Sequence, residues 1–282
     1  MPLEPTTITV FLDASRSGQK RATHAAALAS RWGAHLVGVH LVFADETMPL
    51  SMSFVRGHDA IRQVIDRLDT SAEAAAHIVN TQFQALCTKF DIRGELRAIS
   101  RGENTEAAIA NSLHSDLVVV GHPEPNGLSN DISVEGLLLA SGVPLLVVPN
   151  AWKGETIGER ILIGWNASRE ARRAISDSMS FLISAKSVTV LIIDPAERQR
   201  HSVEPGADIG THLARHGAHV DIVRVNSRGN PIAKVILNNA TMLASDLLVV
   251  GAYSHARLKE LLLGGVTRTL LAQMPVPVLV SR

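Results

Sequence analysis

The chain has 282 residues, 46% hydrophobic and 19% charged, enough for two ordinary domains with real cores and too apolar for a disordered chain. Lys+Arg and Asp+Glu balance at 27 each, and aromatics are only 4%, so neither a basic field nor a stacking platform for nucleic acid is present. The single cysteine, Cys87, excludes an intrachain disulfide. The N-terminus has no basic stretch leading into an apolar run, and the longest apolar runs fall far short of the ~18 residues of a membrane span. The expected location is the cytoplasm, without membrane or nucleic-acid partners.

In chain order, short apolar runs rich in β-branched residues predict strands near 7–13, 35–42, 93–99, 116–121 and 144–148. A polar linker around Trp152–Glu155 follows Pro149. Further strands are predicted near 160–165, 187–193, 218–225, 246–251 and 276–281. Helix-compatible stretches lie between them, among them 18–32, 170–184 and 231–244. The first half carries a long insert, 56–91, with apolar residues at Ile61, Ile65, Leu68, Ala72, Ala75 and Val79. It reads as one long or broken helix that covers either its own sheet or the other half.

The halves repeat each other. ITVFLDAS (8–15) matches ILIGWNAS (161–168) at an offset of 153, which sets Asp13 against Asn166. The same offset places HLVGVHLV (35–42) on VTVLIIDP (188–195). SDLVVVG (115–121) matches SDLLVVG (245–251), and GVPLLVVP (142–149) matches PVPVLVSR (275–282). The expectation is an α/β fold of two tandem doubly wound domains, 1–150 and 158–282. Each would be a five-stranded parallel sheet, order 3-2-1-4-5, with helices on both faces. Ligands of such sheets sit beyond the carboxyl ends of the first and fourth strands, where strand order reverses.

In the second half that edge reads Gly251-Ala-Tyr-Ser-His-Ala-Arg-Leu-Lys-Glu-Leu-Leu-Leu-Gly264-Gly265-Val266-Thr267-Arg268. Glycines admit an oxyanion close to backbone N–H groups, and Thr267 and Arg268 open the last helix, where the dipole favours phosphate. His255, Arg257, Lys259 and Arg268 outweigh Glu260 in charge. Here the chain resembles the universal stress protein family, whose nucleotide-binding members carry G-x2-G-x9-G-[S/T]. Gly251 and Gly264 match, while Ser254 stands at the second glycine and Gly265 at the Ser/Thr position. The resemblance implies that the family's first-strand aspartate falls on Asn166 and its base- and ribose-contacting residue on Ile192. It also implies ATP or a related adenine nucleotide, with Mg, bound in the second half, and a stress-response regulator with weak hydrolysis at most. In the family the fifth-strand edges meet across a dimer, so the tandem chain would form a pseudo-dimer internally, with a homodimer as a further possibility. Asn166 also fits a turn-former or cap for the helix near Ser168.

The first-half loop reads differently. Pro123 and Pro125 remove donors, Asp131 and Ile132 replace Gly264 and Gly265, and Glu135 replaces Arg268, so no triphosphate is expected and Asp13 reads as a structural cap. Asp208, His212, His216 and His219 form a cluster whose first three members recur at i, i+4 and i+8, a helix face that could hold a metal or simply be solvated. The alternative function is a nucleotide-free interaction scaffold of the same fold.

Overall fold

The computed structural model describes residues 4–41, 58–99, 105–122, 133–195, 206–252 and 265–282. The predicted apolar runs form ten strands. The first half contributes β1 (Thr7–Leu12), β2 (His35–Leu41), β3 (Gly94–Ile99), β4 (Leu117–Gly121) and β5 (Leu145–Val148). The second contributes β6 (Arg160–Trp165), β7 (Ser187–Ile193), β8 (Val220–Val225), β9 (Leu247–Gly251) and β10 (Val278–Ser281). Between them run α1 (Arg16–Trp32), α2 (His58–Phe90), α3 (Thr105–Ser112), α4 (Val134–Ser141), α5 (Arg169–Asp177), α6 (Met179–Ser184), α7 (Ala207–Arg215), α8 (Ile232–Met242) and α9 (Gly265–Gln273).

Each half has the expected 3-2-1-4-5 order, and the halves join into one ten-stranded sheet, β3-β2-β1-β4-β5-β10-β9-β6-β7-β8. All pairings are parallel except at the seam, where β5 and β10 run antiparallel with Leu279 opposite Leu146. A fifth strand left at an edge would expose unpaired backbone groups, and each half supplies the other's missing neighbour. The chain is therefore an internal pseudo-dimer. The seam is reinforced on both sides of the sheet. Trp32 at the end of α1 meets Phe181 of α6 edge to face, centroids 4.7 Å apart, and His122 Nε2 donates to the Leu271 carbonyl of α9 at 2.8 Å.

Two apolar layers cover the sheet, and each is shared by both halves. One packs α1, α2, α5, α6 and α7 over Ile8, Val10, Ile161 and Val188; the other packs α4, α8 and α9 over Val118, Val147, Leu248 and Val280. The insert resolves as a crossover helix on its own sheet: Val79, Phe83 and Cys87 of α2 join the core beside α1, β2 and β3. The stretch predicted at 170–184 is two helices, because Ser178 leaves helical geometry between α5 and α6.

The repeated Ser-Asp before the fourth strands is structural. Asp116 accepts from Thr6 N and Thr7 N at 2.8 and 2.9 Å, and Asp246 accepts from Gly158, Glu159 and Arg160 N at 3.2, 3.0 and 2.8 Å. Each carboxylate satisfies the donors that open the neighbouring first strand of its half. Among the described residues, no helix is long and apolar enough to cross a membrane.

Candidate functional site

The second-half crevice lies at the carboxyl edge between β6 and β9, the point where strand order reverses. The chain leaves β6 through a tight turn: Ala167 has φ 57°, and Asn166 Oδ1 accepts from Ser168 N at 3.1 Å. Ser168 then caps α5, its Oγ accepting from Ala171 N at 3.1 Å. The first half builds the same cap, with Asp13 Oδ1 on Ser15 N at 2.8 Å and Ser15 Oγ on Gly18 N at 3.0 Å. Asn166 thus stands at the crevice and serves as the turn-former at once.

Gly251 ends β9 directly against the start of α5. A Cβ there would lie 2.3 Å from the Glu170 carbonyl carbon and 2.4 Å from Ala171 N, so packing alone requires the glycine. Ile192, opposite Trp165 on β7, is 3% exposed and packs beneath Gly206, leaving only backbone atoms for a polar contact. Across the crevice, Gly265 is the first residue of α9, and a Cβ there would meet nothing within 4 Å among the described residues. Among the described residues, neither crowding nor a positive φ demands glycine at this helix start. Arg268 is exposed one turn on, whereas Thr267 is buried, in the place that Val134 fills in the first half. Ser254 and Gly264, with His255, Arg257, Lys259 and Glu260, lie outside the described residues, as do Pro123, Pro125, Asp131 and Ile132.

Three cations that the motif does not contain gather beside α5 and the end of β10. Arg169, Arg173 and Arg282 line an open depression with Glu170. Arg169 pairs with Glu170 at 2.5 Å, and Arg173 with Asp177 at 2.8 Å. Burial would push the Glu170 carboxyl up, but the hydrogen bonds from Arg169, its own backbone and Ser168 bring it below the usual carboxylate range. The sequence signal was an arginine pair at i and i+4 just after a capping serine.

In the first half, the described residues beside β1 fill most of the space next to Asp13. Asp13 Oδ2 binds Arg21 at 2.5 Å, with the two side chains 8% and 2% exposed, and Arg21 Nε also donates to the Phe11 carbonyl at 2.9 Å. Burial lowers the Arg21 pKa and Asp13 draws it back up. Beside this pair, Gly18 and Gln19 of α1 and Val79, Phe83 and Leu86 of α2 enclose about 10 Å³, room for one water at most. Asp13 is the structural residue that the sequence suggests.

One alignment needs correction. Leu12 pairs with His40, and Trp165 pairs with Ile192. The second strands therefore match at an offset of 152, not 153, and the first-half counterpart of Ile192 is His40. His40 is 3% exposed; its Nδ1 lies 3.4 Å from the Leu12 carbonyl and its Nε2 has no partner among the described residues. Among the described residues, no group of three or more His, Cys, Asp and Glu side chains could hold a metal ion.

The sequence profile of the universal stress protein family matches residues 159–282. A universal stress protein from Archaeoglobus fulgidus superposes with a TM-score of 0.68 over 98% of this chain and 96% of its own, at 16% identity. A putative universal stress protein from Pseudomonas aeruginosa does so with a TM-score of 0.61 over 98% and 93%, at 19% identity. At these identities the likeness establishes the tandem fold, and no match was found among curated protein sequences.

Proposed function

Residues 159–282 belong to the universal stress protein family, and from that premise we propose that the chain is a cytoplasmic stress-response regulator binding an adenine nucleotide, ATP foremost, in its second half. The observation that carries this reading is the start of α9. Gly265 presents an uncrowded backbone at the positive end of a helix, with Arg268 exposed beside it. A cation in the first turn opposes the helix dipole, and an anion seated there relieves that opposition. Asn166 can hydrogen-bond a ribose hydroxyl or ring nitrogen from the other wall. With an amide at the position of the family's aspartate, little or no turnover is expected, and Mg²⁺ would accompany the phosphates. The first half contributes architecture, since its space beside Asp13 is filled.

A second reading, a nucleotide-free scaffold, is favoured by Gly251 and Thr267, whose places are explained by packing alone. Calorimetric titration separates the two. The protein is unfolded to strip any carried ligand, refolded, and titrated with ATP, ADP and AMP in the presence of Mg²⁺. Arg268→Ala should weaken ATP by about 1.5–3 kcal/mol, one to two decades in Kd, and AMP by less. Absence of binding by the wild-type chain would establish the scaffold reading instead.

A further inference from the structure

The internal repeat supplies a template for the part of the second-half crevice that no motif covers. In the first half, the outer wall of the space beside Asp13 includes Gln19 of α1 and Gln82 and Leu86 of α2. Their second-half counterparts follow from matched hydrogen bonds. Gly18 N and Ala171 N are the capped donors of α1 and α5, so Gln19 corresponds to Arg172. At the other ends of the crossovers, Ile92 N donates to the Cys87 carbonyl and Ala218 N to that of Leu213, at 3.0 and 3.2 Å. Each bond spans a residue of positive φ, Asp91 at 51° and Gly217 at 91°, before β3 and β8 enter the sheet in the same register. Leu86 therefore corresponds to His212, and Gln82 to Asp208.

The apolar wall residue Leu86 of the first half thus corresponds to an imidazole in the second. His212 Nε2 is buried and has no hydrogen-bond partner among the described residues. The ring lies 4.7 Å from that of His216, at 67°, which fixes its plane. Burial first, then the charges of Arg172, His216 and Arg215, lower its pKa, so the ring is neutral near pH 7 and offers one donor and one acceptor. Asp208 stands one helical turn before it. A buried nitrogen left without a partner is unfavourable in the empty protein, and a ligand that engages it recovers that bond.

We propose that His212 and Arg172 form the outer wall of the second-half crevice and that His212 is the polar contact for the base of the bound nucleotide, a role that rests on the nucleotide reading above. Helical spacing groups His212 with Asp208 and His216; the structure keeps the ring against His216 and sets it within the field of Arg172 of α5.

The test is calorimetric titration of the full chain at pH 7.5 with ATP, ADP, AMP and adenosine, together with melting of the ligand-free protein. His212→Leu imports the first half's residue. It should weaken all four ligands by a similar factor, roughly ten-fold, because the contact is to the base. Its ligand-free melting temperature should hold or rise, since an unpaired buried nitrogen is removed. His212→Gln, which retains a donor and an acceptor, should recover part of the affinity. Unchanged affinity in His212→Leu, or a loss that grows with the number of phosphates, would overturn the proposal while leaving nucleotide binding intact. A wild-type chain that binds none of the four would remove the nucleotide reading, and this role of His212 with it.

Discussion

The buried Asp13–Arg21 pair permits a quantitative test of how the first crevice is held shut. Arg21→Met keeps the stem volume but removes the charge, leaving a carboxylate that is 8% exposed without its counter-ion. Breaking one partner of such a pair destabilises by about 3–5 kcal/mol. The second half contains its own solution, with Asn166 and Ala174 at the matching positions. Asp13→Asn combined with Arg21→Met should therefore lose only about 0.5–1.5 kcal/mol, the value of the Arg21 bond to the Phe11 carbonyl. The amide keeps the turn, because Asn166 Oδ1 makes the same bond to Ser168 N that Asp13 makes to Ser15 N. Guanidinium unfolding of the four chains, followed by tryptophan fluorescence, gives the double-mutant cycle. The double variant should be more stable than the sum of the single losses by at least about 2 kcal/mol. Additivity within about 0.5 kcal/mol would show that the pair does not act as a unit and would refute the reasoning.

Two further outcomes are expected. Gly251→Ala drives a methyl into the backbone of Glu170 and Ala171, which cannot move aside as a side chain would, so the melting temperature should fall even without ligand; a typical overpacking loss is about 1–3 kcal/mol, and an unchanged melting curve would reassign the glycine to the ligand. His24 and His40 are 8% and 3% exposed, and burial lowers both pKa values below 6.5. The unfolded chain therefore binds more protons than the folded one just below that pH, so stability is complete above about 6.5 and declines as pH falls further. Denaturation midpoints between pH 7.5 and 5.5 should show this slope, and His24→Leu with His40→Leu should flatten it; an equal slope in the double variant would place the titration elsewhere.

The topology was legible because apolar β-branched runs recur in one order with matching Ala-Ser-Arg and Ser-Asp-Leu segments. Counting residues failed between β1 and β2, where an offset carried over from one strand missed by one. Only the hydrogen-bonded register sets His40 against Ile192. The correspondence between Leu86 and His212 was illegible for a related reason. The crossovers α2 and α7 differ in length, and Leu86 and His212 correspond only when counted back from β3 and β8. Arg21 could have been noticed, since it lies among Ala22, Ala25, Ala26 and Ala29 on the buried side of α1. The arginines at 169 and 173 meet Arg282 only once α5 has been placed against β9 and β10.

The antiparallel seam between β5 and β10 has a consequence for how the two sites can change. In a dimer of identical subunits every substitution occurs twice, so a residue that improves one pocket is imposed on the other. A covalent pair escapes that constraint. One copy can take Arg21 and Leu86, while the other takes Ala174 and His212 at the matching positions. Because the halves share two continuous apolar layers, each copy braces the other while its own crevice changes. The chain can thus carry two different crevices in one sheet, a divergence that two copies of a single domain could not encode.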